Sequence, residues 1–429
     1  MAIGMLALLS GMWAGLLRLG WGVPMPRETF ALVHGPLMVS GFVGTLIGVE
    51  RAVALQRRWA FSGPVLTAFG TVALLVGLPH SAAPLLMTAG SLGLVIVFAI
   101  IVREQGALFT ITMGLGAVAW LIGNGIWLGG GPIYNVVSWW LGFLVLTIGG
   151  ERLELSRLLQ RRRTSQLAFM AIIGTLLAGL AFGGVASDIG ARLTGVGLLG
   201  LSLWLARNDV ARRTVRQSGL PRFTAICLLS GYVWLAVGGT LAIAYGSVIA
   251  GAPYDAVLHA IFLGFVFAMI FGHAPIILPA VLGLPVPFRS VFYAPLIVLH
   301  TSLALRLAGD LLAIQLARQY GGLLNGLAVL IFLVNTVRAV RDGRRLHTRG
   351  SAVPARAQRL DRRHASRRAD GWRTAHTATG SCAAAAAERR RARYRSAHWR
   401  HRPSSSPQSG KSATICSTTS GARRSGSGV

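Results

Sequence analysis

Two histidines bracket the stretch HAIFLGFVFAMIFGHAP at residues 259–275, an apolar run of helix length. Imidazoles sit in such a run only where they do chemistry or find partners. Fourteen helical steps separate His259 from His273, about 21 Å of rise and about 40° short of four full turns, so they share a face but cannot share a metal. A third histidine, His34, opens HGPLMVSGFVGTLIGVER. Hydropathy puts His34 and His259 each five residues inside the outer end of its helix, about 8 Å deep. Two neutral imidazoles at equal depth on two repeat-related helices are the arrangement that grips a single haem iron from opposite sides. Gly35, Gly41, Gly44 and Gly264 would let a flat macrocycle approach the backbones, or equally serve plain helix packing. Arg18 and Arg306, expected at the same outer level, suit the carboxylates of such a group. Alternatively Arg306 pairs with Asp310 four residues on, and Arg18 extends to water. His273 and His300, the latter in APLIVLHTSLAL, are candidates for a second metal site or a proton relay with Glu50 or Glu151. They read equally well as buried histidines hydrogen-bonded to carbonyls.

The elements that must hold these residues are lipid-solvated helices. Apolar residues make up 53% of the chain and charged ones 13%, which points to an all-α integral membrane protein. Twelve transmembrane windows are expected near 3–23, 29–49, 60–79, 82–102, 107–129, 133–150, 166–186, 189–206, 223–248, 254–282, 288–309 and 319–339. Nothing at the start resembles a cleavable signal, since there is no charged leading region and no A-x-A site. Arginines fall in alternate loops: Arg51, Arg57 and Arg58; Arg103; 157–163; 207–222; Arg289; and Arg338 onward. By the positive-inside rule that side is cytoplasmic, both termini included, and LPHSAAP, GGGPIYN and AGAPYD face outward. His80 then reads as a wet loop residue. Trp21, Trp127, Trp139 and Trp140 fall near the outer edges, as an aromatic belt would.

Three of the windows align without gaps: GFVGTLIGVER at 41–51, GFLVLTIGGER at 142–152 and GFVFAMIFGHA at 264–274. They are the second, sixth and tenth spans. A motif recurring every fourth span implies three pseudo-symmetric four-helix arcs rather than a six-plus-six repeat. The paired Glu50-Arg51 and Glu151-Arg152 otherwise read as markers of helix ends at the interface.

The net charge of +29 is uneven. Residues 344–429 hold 20 of the 42 basic residues against three acidic ones, and carry the only lysine, Lys411. That segment, without apolar periodicity, reads as a disordered basic tail or as the frameshifted end of a GC-rich gene, leaving 1–343 as the membrane domain. No specific nucleic-acid binding is expected from it. Cys227, Cys382 and Cys416 are scattered, against disulfides and zinc. No nucleotide loop, hydrolase triad or acidic metal cluster appears, which argues against ATP-driven chemistry.

HGPLMVSGFVGTLIGVER and HAIFLGFVFAMIFGH resemble subunit I of the haem-copper oxidases, and are nearest to the NnrS-type haem-copper membrane proteins associated with nitric oxide metabolism. The resemblance covers residues 1 to about 343. It implies haem b held by His34 and His259, a redox partner, and a place in a bacterial inner membrane. Two departures limit it. Oxidases draw copper-ligating histidines from spans six and seven, where this chain has none, and they place two histidines one residue apart on span ten, where this chain has Val257 and His259. Copper is thus unsupported, and the expected function is electron transfer or handling of a small gas. The competing readings are a secondary transporter with buried histidines as proton carriers and a structural subunit.

Overall fold

In lipid every backbone N–H and C=O must be paired within its own segment, so each apolar window has to become a helix. The computed structural model describes residues 1–79, 81–156, 162–283 and 286–351, and every regular element among them is helical. The principal helices are α1 (Ala2–Arg18), α2 (Glu28–Leu55), α3 (Arg58–Val76), α4 (Ala82–Glu104), α5 (Leu108–Leu128), α6 (Ile133–Leu155), α7 (Arg163–Phe182), α8 (Ser187–Asn208), α9 (Gly219–Tyr245), α10 (Gly251–Pro279), α11 (Ser290–Leu311) and α12 (Gln315–Arg345). Eleven of them, α2 to α12, are long and apolar enough to cross a membrane. Of the twelve expected spans α1 is the exception: its 17 residues stand at the lower limit for a bilayer core. The helix of α12 continues to Ser351, past the expected boundary at 343. The remainder of the expected tail, with Cys382 and Cys416, lies outside the described residues, as does His80.

The repeat decides which helices sit inside. Over the most apolar 18 residues of each span, 61% of α2, 72% of α6 and 61% of α10 is buried, against 28–44% for the other spans. Hydrophobic transfer does little between helices already in lipid, so close packing and hydrogen bonds must hold them. Small residues make the approach possible: a Cβ on Gly116 of α5 would sit 2.9 Å from the Phe143 carbonyl of α6, and one on Gly150 of α6 would sit 2.9 Å from that of Phe109. A buried polar knot ties the same region. Asn124 of α5 accepts from Ser40 of α2 (3.2 Å) and Trp140 of α6 (2.9 Å) through Oδ1, and donates to the Met87 carbonyl of α4 (3.1 Å). Trp120 adds a 3.0 Å bond to Ser40. Asn124→Ala would strand the Ser40 and Trp140 donors, and we expect it to lower the unfolding free energy by about 1–3 kcal/mol, measured by denaturant titration in mixed micelles.

Two of the three inner helices share a further feature. Leu37–Gly44 of α2 and Ala260–Phe267 of α10 are π-helical. When Gly41 is aligned with Gly264 the two segments coincide residue for residue, whereas the matching stretch of α6 is α-helix throughout. Of the three repeats, the wide turns thus occur only in the two that follow His34 and His259. Such turns concentrate at functional sites.

Candidate functional site

His34 begins the helical turn ahead of the first π segment, and His259 immediately precedes the second. Their ring centroids lie 6.3 Å apart with planes 26° from parallel. The histidines are not equivalent in the repeat. The register that aligns the π segments puts Val257 opposite His34 and Pro36 opposite His259. Each lies further from its helix start than the expected five residues: six for His34, where α2 opens with a 3₁₀ stretch at Glu28–Val33, and eight for His259, where α10 opens at Gly251. The side chains meet nonetheless. About two turns further in, Phe42 and Phe267 of the same helices pack at 6.1 Å.

Backbone carbonyls fix both rings. His34 Nδ1 donates to the Gly11 carbonyl of α1 at 2.7 Å, and His259 Nδ1 to the Asp255 carbonyl at 2.9 Å, with the Asp255 carboxylate 3.3 Å away. A carbonyl only accepts, so each Nδ1 carries a proton, and in the neutral imidazole each Nε2 keeps its lone pair. Neither Nε2 has a hydrogen-bond partner among the described residues. This is the tautomer of metal-ligating histidines, whose other nitrogen donates to a carbonyl or carboxylate. The separation fits as well: two metal–nitrogen bonds of about 2 Å plus the radii of both rings bring facing imidazole centroids to about 6 Å. Among the described residues no group of three or more His, Cys, Asp or Glu could hold a bare ion. A two-imidazole site therefore suits only a metal that brings its other ligands, which a haem does.

Gly15 lets His34 stand against α1. A Cβ there would lie 3.0 Å from both Cε1 and Nδ1 of the ring. We expect Gly15→Ala to push the imidazole aside and cost about 1–3 kcal/mol, read as a lower unfolding midpoint. Three of the four expected glycines serve packing rather than a macrocycle, since the spaces at Gly44 and Gly264 are filled by Trp120 and Trp234 and Gly41 faces Thr71 and Ala7, whereas a Cβ on Gly35 would meet only Trp140 at 3.9 Å.

The arginines expected near this pair differ in their fates. Arg306 holds Asp255 bidentately, Nε at 2.9 Å and Nη2 at 3.1 Å, and does not pair with Asp310 at i+4. Arg318 takes Asp310 instead, an ion pair at 2.9 Å whose angle is poor for a hydrogen bond, and reaches Asp255 at 3.9 Å. Arg306 is therefore committed to a carboxylate of the protein itself. Arg18, ending α1, is exposed and has no ion-pair partner among the described residues.

His273 and His300 are not brought together, and each has both nitrogens occupied. His273 Nδ1 donates to the Met269 carbonyl (2.7 Å), so its Nε2 must accept from Arg152 Nη1 (3.0 Å). His300 Nδ1 accepts from Trp234 Nε1 (2.9 Å), and its Nε2 donates to Ser230 Oγ (2.8 Å). Neither offers a lone pair to a metal. The shared face expected for His259 and His273 presumes 3.6 residues per turn, which the π segment between them breaks. His259 meets α2, and His273 meets α6.

Around His273 lies a charged network built from the Glu-Arg pairs. Arg51 bridges Glu50 (3.1 Å) and Glu151, joining α2 to α6. Arg152 pairs with Asp209 through Nε (2.8 Å) and Nη2 (3.3 Å), with the two side chains 3% and 0% exposed. Tyr232 OH donates to Asp209 at 2.8 Å and the Ala211 N–H at 2.7 Å. Arg152 is thus a buried cross-link rather than an interface marker. Sequence reasoning missed Asp209, Tyr232 and Asp255. For Asp255 a signal existed, since YDAVLH sets a carboxylate four residues before a histidine, on one helix face.

Compared with known families, residues 1–341 match the one described as a domain of unknown function, DUF8744. The chain belongs to this family. The match takes in both histidines of the outer pair, the charged network and nearly all of α12. No curated protein and no solved structure matches the chain.

Proposed function

We propose that this is a multi-pass membrane haem protein in which His34 and His259 hold one haem b. The single observation that carries the reading is the imidazole pair, 6.3 Å apart, with both Nδ1 atoms tied to carbonyls. Haem would supply one-electron transfer at a potential set by its axial ligands. The protein's own part is legible. The Gly11 and Asp255 carbonyls hold each proton on Nδ1 and keep Nε2 basic. Arg306 fixes the Asp255 carboxylate, and through it the turn that carries His259. Arg18 is the cation left to meet an acidic group at the outer edge.

In this reading α1 is a twelfth span, and α2, α6 and α10 are the inner helices of three four-helix arcs related to subunit I of the haem-copper oxidases and to the NnrS-type proteins. The missing copper histidines make it an electron carrier or a handler of a small gas such as nitric oxide. The arginine distribution orients it in a bacterial inner membrane with both termini cytoplasmic. The test is an optical spectrum of detergent-purified protein after haem-replete expression. A Soret band lost in His34→Ala is expected, and colourless wild-type protein overturns the proposal.

One observation favours a second reading, a secondary transporter using a buried proton carrier: His273 sits hydrogen-bonded to Arg152 in the charged network, on a helix that contains Pro275 and Pro279. There His273→Ala abolishes pH-driven uptake by a colourless protein.

A further inference from the structure

A cavity of about 600 Å³ opens where α11 begins and α12 leaves the apolar zone, on the arginine-rich side. Arg289, Ser290 and Val291 line one wall, and Asn335, Arg338 and Ala339 the other. The two guanidinium groups differ in commitment. Arg289 is 61% exposed and shares its charge with Asp342 at 3.1 Å, while Arg338 is exposed and has no ion-pair partner among the described residues. Asn335 is 7% exposed and holds the two walls together by donating to the Val291 carbonyl at 3.2 Å. Phe292 forms an apolar floor, 1% exposed. Val291 in the wall is half-exposed, and Val334 and Val337, next in sequence to the wall residues Asn335 and Arg338 on α12, are exposed.

We infer that this cavity binds the headgroup phosphate of an anionic phospholipid, whose acyl chains run down the exposed aliphatic surface of α11 and α12. Two arginines facing one cavity match a phosphate in charge and in donor geometry. The half-exposed Val291 in the wall and the exposed valines adjoining it along α12 favour an amphiphile over a free anion, because an ion alone gains nothing from apolar surface beside its site. Basic pockets between membrane helices at this level bind lipid headgroups for the same reason.

The experiment is native mass spectrometry of the full-length chain in detergent, titrated with phosphatidylglycerol. Two probes separate the halves of the ligand: diacylglycerol, which lacks the phosphate, and inorganic phosphate, which lacks the chains. Wild-type protein is expected to bind phosphatidylglycerol at least about tenfold more tightly than diacylglycerol, and inorganic phosphate in large excess should not displace it. Arg289→Gln/Arg338→Gln should weaken phosphatidylglycerol binding at least about tenfold, and Arg222→Gln, on the same side of the protein, should not. Ser290→Glu keeps both arginines and adds a carboxylate at an exposed wall position. It should produce the same loss if the double variant proves unstable. Unchanged affinity in the folded variants overturns the proposal. So does displacement of the lipid by inorganic phosphate, which would make this an ion site.

Discussion

Arg152→Met is expected to lower the unfolding free energy by about 3–5 kcal/mol, the range for removing one partner of a buried ion pair. Asp209 is fully buried, and without Arg152 its charge would be met only by the Tyr232 hydroxyl and the Ala211 N–H. His273 Nε2 would lose its donor at the same time. The contrast is Arg192–Asp188, also bonded at 2.8 Å but with side chains 47% and 58% exposed. Water can solvate either partner there, so Arg192→Met should cost far less. The double variant Arg152→Met/Asp209→Leu should recover much of the loss, because no unpaired charge remains in the interior. Denaturant titration in mixed micelles reads all four proteins. Equal losses for the Arg152 and Arg192 single variants would show that the inner network is not held by charge.

What could be read beforehand, and what could not, divides along physical lines. Hydropathy reports how long a chain stays in lipid, so the long helices were legible to within about six residues except at the end of α12, which runs on to Ser351 through a polar stretch that no hydropathy window includes. The Gly-Phe repeat reports which helices tolerate close neighbours on every side, and the three that carry it are the most buried over their apolar 18-residue cores. Pairing between distant residues leaves no such trace. Arg306 had a carboxylate four residues away in Asp310, yet it binds Asp255, 51 residues earlier, because α10 sets that side chain against it. Asp209 sits among arginines in RNDVARR and looked like solvated loop, whereas the fold turns it inward to meet Arg152. The π segments were invisible because an extra residue per turn changes no hydropathy sum. They rotate everything downstream, so His259 and His273 face different helices despite their apparent common face. Glycines were ambiguous for a related reason: Gly44 and Gly264 do signal close approach, but only the fold shows that what approaches is tryptophan.

His34→Ala and His259→Ala separate a metal clamp from a packed pair of rings, which the distance alone does not. If the imidazoles hold haem, each substitution removes one of two nitrogen donors. Haem retained per protein should fall at least about a hundredfold, beyond the 10–100-fold typical of losing an outer-shell partner. The remaining pigment should show an altered Soret maximum. Asp255→Asn sharpens the distinction. His259 Nδ1 is closer to the Asp255 carbonyl (2.9 Å) than to its carboxylate (3.3 Å), so the ring keeps its main acceptor in this variant. Arg306 and Arg318, by contrast, lose the charge they share. Asp255→Asn should therefore lower stability clearly while reducing haem retention by about tenfold or less. Rings that merely pack against each other predict the reverse order of effects: modest destabilisation in both alanine variants, the larger loss in Asp255→Asn, and no absorbance to lose in any of them.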